Sequence, residues 1–112
     1  MYKRQLLGGP GNDTLNGGAG DDVLIGGAGN DDLDGGEGEN QFLPGTGNNT
    51  ITGGTGLDVL FLNVNKGDTI GLADCKRSQC NLGYTENESV SSANTSGIEV
   101  IIFRDGRHDI TQ

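Results

Sequence analysis

The chain of 112 residues has no tryptophan, three phenylalanines and two tyrosines, so it has little with which to build an ordinary packed interior. It also lacks any long apolar run. Nothing approaches the ~20 residues of a membrane span, and the N-terminus holds no apolar core that could serve as a signal peptide. Histidine is nearly absent too. The single one, His108, lies between Arg107 and Asp109 in a polar tail, and Ser89, Ser91, Ser92 and Ser96 have no Gly-x-Ser-x-Gly context. Nucleophilic catalysis has no residues to work with, and the chain is expected not to be an enzyme. Cys75 and Cys80 can supply one bridge in an oxidising compartment, and with no further cysteine or nearby histidine they do not make a zinc site.

Basic residues are missing where they matter most. Between Gly8 and Phe61 there are nine acidic residues (Asp13, Asp21, Asp22, Asp31, Asp32, Asp34, Glu37, Glu39 and Asp58) and no lysine or arginine, so this segment carries the whole net charge of −9. It repels nucleic acid and anionic lipid, and it repels itself unless cations bind.

Glycine is abundant, at 22 residues, and it is periodic. A repeat of nine begins at Gly8 and runs without insertion through six units starting at Gly8, Gly17, Gly26, Gly35, Pro44 and Gly53. Position four is always glycine (Gly11, Gly20, Gly29, Gly38, Gly47, Gly56). Position six is aspartate or its amide (Asp13, Asp22, Asp31, Asn40, Asn49, Asp58), and position eight is a large apolar residue (Leu15, Leu24, Leu33, Phe42, Ile51, Leu60). Each unit can form only a strand of about three residues, too short to stand alone, so stability must come from stacking. With two units per turn, Leu15, Leu33 and Ile51 line one inner wall, and Leu24, Phe42 and Leu60 the other.

These columns resemble the RTX family of secreted bacterial proteins over about half the chain. The resemblance implies an all-β fold, a right-handed parallel β-roll with a short C-terminal β cap. It implies calcium held between turns stacked on the same side. Calcium takes six to eight oxygens at about 2.3–2.6 Å. The expected ligands are the position-six side chains Asp13, Asp22, Asp31, Asn40, Asn49 and Asp58, with turn glycines Gly8, Gly17 and Gly26 at position one and Gly11, Gly20 and Gly29 at position four. Of four candidate sites, only Asp13 with Asp31 keeps two carboxylates. Asp31–Asn49, Asp22–Asn40 and Asn40–Asp58 are expected to bind more weakly.

Competing motifs fail on particular residues. Asn30, Asp32, Asp34 and Gly35 mimic the start of an EF-hand loop, but its twelfth position is Gln41 and its flanks are glycine-rich. No lysine follows the glycines as a phosphate loop requires. The register argues against a flexible linker, and the Asn-x-Ser/Thr triplets at Asn12, Asn48, Asn87 and Asn94 are read as coincidence in an Asn-rich repeat.

The expected organisation is a non-native leader over 1–5, the repeat roll over 6–61, and capping strands with a polar loop over 62–112. Strands are expected at Asp68–Leu72 and Ile98–Phe103, with a polar stretch from about Cys75 to Gly97 between them and a turn at Arg104–Gly106. The functional expectation is a calcium-binding, extracellular module of a larger polypeptide, with no nucleic-acid partner. By resemblance it is exported by type I secretion machinery. The alternatives are a ligand-binding module for polysaccharide, ice or adhesion, and the tail of an extracellular enzyme.

Overall fold

A computed structural model describes residues 3–64, 69–70, 76, 79–86 and 89–110. Among these there are strands and turns but no helix. The repeats supply β2 (Thr14–Asn16), β3 (Asp21–Ile25), β4 (Asp32–Asp34), β5 (Gln41–Leu43), β6 (Asn48–Thr52) and β7 (Val59–Phe61), preceded by β1 (Lys3–Leu7). Successive strands go to opposite sheets, so each turn of the coil is two units. One sheet stacks β1, β3, β5 and β7 in parallel and the other β2, β4 and β6.

The register is eighteen residues. Leu15 pairs with Leu33 and Leu33 with Ile51 in one wall, while Leu24 pairs with Phe42 and Phe42 with Leu60 in the other. Leu24, Leu33, Phe42, Ile51 and Leu60 are fully buried, and Leu15 is half-buried in the first turn. Position eight faces inward because alternation along a strand puts positions six and eight on the same side. The same alternation turns position seven and nine side chains outward. β1 adds a layer that the repeat count leaves out: Leu6 pairs with Leu24, one turn later, and packs against the core.

Beyond Phe61 the roll continues for one further turn. β10 (Ser89–Ser96) runs parallel to β6 with Thr95 opposite Ile51, and β11 (Val100–Phe103) runs parallel to β7 with Ile101 opposite Leu60. Antiparallel strands then close each sheet, β12 (Gly106–Asp109) beside β11, and β9 (Cys80–Glu86) followed by β8 (Thr69–Ile70) beside β10. The reading of Cys75–Gly97 as a polar stretch is therefore corrected, since most of it is the β9–β10 hairpin. Small and hydroxylated residues serve at its inward positions: Ser91, Ala93 and Thr95 are buried, and the Thr95 hydroxyl donates to the Cys80 carbonyl at 3.0 Å. On β9, Leu82 and Tyr84 are buried, and the Tyr84 hydroxyl donates to the Gly45 carbonyl across 2.5 Å, tying the hairpin to a repeat turn.

Ile98, Ile101, Phe103 and Ile110 complete the core at this end. Of the strand expected at Asp68–Leu72, Thr69–Ile70 is described, and the rest lies outside the described residues. Cys80 is buried and disulfide-bonded. The chain's other cysteine, Cys75, lies outside the described residues.

Candidate metal centre

The position-six column is buried along both walls. Asp22, Asp31, Asn40, Asn49 and Asp58 are at most 2% exposed, a level that ionised side chains reach only when something compensates their charge. One oxygen of Asp31, Asn40, Asn49 and Asp58 is spent on the coil itself. The Asp13 N–H donates to Asp31 Oδ1 at 2.9 Å and the Asp31 N–H to Asn49 Oδ1 at 2.8 Å. On the other side the Asp22 N–H donates to Asn40 Oδ1 at 3.0 Å and the Asn40 N–H to Asp58 Oδ1 at 3.0 Å. This ladder explains why an amide can replace an acid at position six: its carbonyl oxygen accepts the same bond.

The second carboxylate oxygen is the candidate ligand. Asp13 Oδ2 and Asp31 Oδ2 are buried and accept no hydrogen bond. They face the turn glycines at position one. A Cβ on Gly8 would lie 2.8 Å from Asp13 Oδ2 and 2.8 Å from the Gly26 carbonyl oxygen, and one on Gly26 would lie 2.7 Å from Asp31 Oδ2 and 2.8 Å from the Pro44 carbonyl oxygen. Gly17 repeats the pattern on the opposite side, with Asp22 Oδ2 at 2.6 Å and the Gly35 carbonyl oxygen at 2.8 Å. A carboxylate oxygen and a peptide carbonyl from the next turn thus converge on a space that only glycine leaves open. Both are hard oxygen donors, the set calcium prefers.

Asn40 and Asn49 differ in a way that bears on affinity. The Asn49 side-chain amide donates to the Pro44 carbonyl at 3.3 Å, and that of Asn40 donates to Asp58 Oδ1 at 3.1 Å and to the Gly38 carbonyl at 3.4 Å. Where an aspartate would offer an acceptor, these units offer a donor and satisfy their carbonyls without a cation.

Burial raises the Asp31 carboxyl above its ordinary value of 3.8, and the negative charge of Asp13 adds to this against the opposing hydrogen bond from the Asp13 backbone. A bound cation would remove that penalty. Among the described residues no three carboxylate, thiolate or imidazole side chains converge, so backbone carbonyls must supply much of any cage.

The position-four glycines sit in a separate stack. Gly29 has φ of +114°, and a Cβ there would strike the Gly11 carbonyl of the preceding turn; Gly47 stands in the same relation to Gly29. The neighbouring acceptors are position-five side chains, with Asp21 Oδ1 2.9 Å from a Cβ on Gly38. Gly29→Ala combines a conformation forbidden to L residues with a backbone collision, and it is expected to cost at least 2–3 kcal/mol by order of magnitude. Chemical denaturation of the calcium-loaded variant measures this loss.

The sequence reading missed one acidic residue of this ladder. The Asp58 N–H donates to Glu99 Oε1 at 2.6 Å, so Glu99 takes the position-six place in the added turn, and the Gly97 carbonyl takes the position-one place against Gly53. In sequence Glu99 stands 41 residues after Asp58 rather than 18, and the intervening segment hides the register.

The profile of the RTX calcium-binding nonapeptide repeat matches residues 7–42 and 45–63, in four copies. By this segment the chain belongs to the RTX family. The RTX nonapeptide repeat is a structural module that binds calcium, so the ion is the one the donor set favours. No curated protein sequence matched the chain. Among solved structures, the extracellular lipase LipA from Serratia marcescens superposes with a TM-score of 0.70 at 22% identity, over 88% of this chain and 17% of the lipase. The likeness supports the β-roll architecture, and the chain spans about one-sixth of the lipase's length.

Proposed function

We propose that this RTX chain is a calcium-triggered folding module of a secreted bacterial protein. The observation that carries the reading is the pair of buried carboxylate oxygens on Asp13 and Asp31, which accept no hydrogen bond and face glycine turns lined by carbonyls. Asp13, Asp22, Asp31 and Asp58 supply charge and Asn40 and Asn49 neutral oxygens. Carbonyls of the position-one turn residues complete the cages, and the position-four glycines Gly11, Gly20 and Gly29 shape the turns. Bound calcium neutralises carboxylates that otherwise stack turn upon turn in buried columns.

An ion that binds only the folded state stabilises it by RT ln(1 + [Ca]/Kd) per site. With Kd of about 10⁻⁴ M, in the range of extracellular modules, millimolar calcium contributes about 1.4 kcal/mol per site. Four sites of that affinity would reach about 5–6 kcal/mol, an upper bound because three of them hold an amide, and still comparable with the 5–15 kcal/mol stability of a whole domain. Calcium at this level decides whether the segment folds. The chain would therefore cross a type I secretion channel unfolded and fold outside.

The lipase superposition favours a compatible second reading, in which this module is the tail of an extracellular enzyme and any catalysis belongs to the rest of that polypeptide.

Circular dichroism of the chain titrated with calcium, with magnesium as the control ion, tests the proposal. The expected result is a disordered spectrum that turns to β between micromolar and millimolar calcium, with no response to magnesium. A β spectrum already present in chelator would overturn it.

A further inference from the structure

The two outer faces of the roll differ in chemistry. At position nine the units of one sheet carry Asn16, Asp34 and Thr52, with Ser96 in the added turn, whereas those of the other carry Leu7, Ile25, Leu43, Phe61 and then Ile102. Core formation does not explain the second set, because position nine points outward; Leu7 is 68% and Leu43 36% exposed. Ile25, Leu43, Phe61 and Ile102 form the floor of a groove of about 510 Å³. One wall is bare backbone at Gly27 and Gly45, and the cap end is closed by Asn63 and Arg104. Among the described residues Arg104 is the only charged one lining the groove, and its Nε donates to Asn63 Oδ1 at 2.9 Å, which fixes the guanidinium at the groove's end.

The dimensions select the occupant. Four neighbouring strands at ~4.8 Å spacing make a floor about 14 Å long, the length of a medium-chain acyl group, and the volume lies within the ~300–1,000 Å³ of small-molecule sites. The strip is one side chain wide, since the adjacent outward column is interrupted by Gln5 and Gln41. That is far below the ~800 Å² per partner of a stable protein interface. A second copy would also bring its own charge of −9 against the same acidic turns. A narrow apolar floor ending in the Arg104 guanidinium fits an amphiphile with an anionic head.

We infer that this groove binds the monomeric carboxylate of a medium-chain fatty acid, its tail along Ile25, Leu43, Phe61 and Ile102 and its head at Arg104. The site is independent of the calcium ladder, which lies on the inward side of the same strands.

Methyl NMR of the calcium-loaded chain titrated with decanoate, kept below its micelle concentration and its solubility limit with calcium, tests this. Saturable shifts at Ile25, Leu43 and Ile102 are expected. Arg104→Ala should weaken decanoate by about ten- to a hundredfold, the worth of a charged hydrogen bond, and leave decanol unchanged. Leu43→Asn should weaken both strongly while leaving the calcium titration unaltered. Equal binding of decyltrimethylammonium would overturn the inference. So would shifts confined to other residues, shifts that appear only with vesicles or micelles, or shifts that follow protein concentration without ligand and so report a second copy on this face.

Discussion

Replacing Asp13 and Asp31 together by alanine is expected to raise the calcium concentration at the folding midpoint by at least tenfold. Within the six repeats the pair holds the one site with two position-six carboxylates, and each lost buried charge-assisted contact is worth about 1.5–3 kcal/mol, where 1.4 kcal/mol is a factor of ten. Alanine also removes the Oδ1 acceptor that bonds the Asp13 N–H at 2.9 Å, so a second variant separates the two contributions. Asp31→Asn keeps the ladder acceptor, as Asn49 does one turn later with its 2.8 Å bond from the Asp31 N–H, and removes only the charge. If charge holds the ion, Asp31→Asn shifts the midpoint nearly as far as Asp31→Ala. The reverse change, Asn49→Asp, should lower the midpoint by giving the neighbouring site its second carboxylate. Calcium titrations followed by circular dichroism give all four midpoints.

The largest loss without any change of charge is expected from Phe42→Ala. Phe42 is the bulkiest fully buried side chain among the described residues and is stacked between Leu24 and Leu60, with only one inward apolar residue per unit to share its place. Truncating a buried phenylalanine costs about 3–5 kcal/mol from lost burial and the cavity left behind. In a roll this thin, that is a large part of its stability. Denaturation in saturating calcium should show it, and Leu43→Ala, one residue on but facing outward, should stay within about 1 kcal/mol of the parent chain.

The contrast between Phe42 and Leu43 was legible in the sequence, because a period of nine read twice fixes which residues stack eighteen apart. Leu15, Leu33 and Ile51 in one wall and Leu24, Phe42 and Leu60 in the other are where the periodicity puts them. Leu6 could have been read in the same way, since it stands one turn, two periods, before Leu24, but its unit has no glycine or aspartate to mark it. The β9–β10 hairpin carried no such signal. Ser89–Ser96 forms a strand because the backbone of β6 offers an unpaired edge, and Ala93 and Thr95 are small enough to lie opposite Asn49 and Ile51. Context overrides propensity there.

Of the candidate site, the position-six column was visible and the division of labour within each carboxylate was not. That one oxygen closes the coil while the other faces a glycine turn depends on the stacking distance between turns, which no single unit encodes. Glu99 was hidden for the same reason, as its place in the ladder exists only once β11 has docked beside β7.

The central claim is that cations hold the position-six ladder together, and amide hydrogen exchange with and without calcium tests it most directly. In calcium, the N–H groups of Asp13, Asp22, Asp31 and Asn40, which donate along the ladder, should be strongly protected. In chelator they should exchange together at rates close to those of an unfolded chain. Protection that persists in chelator would contradict the account and show a roll that holds itself together without metal.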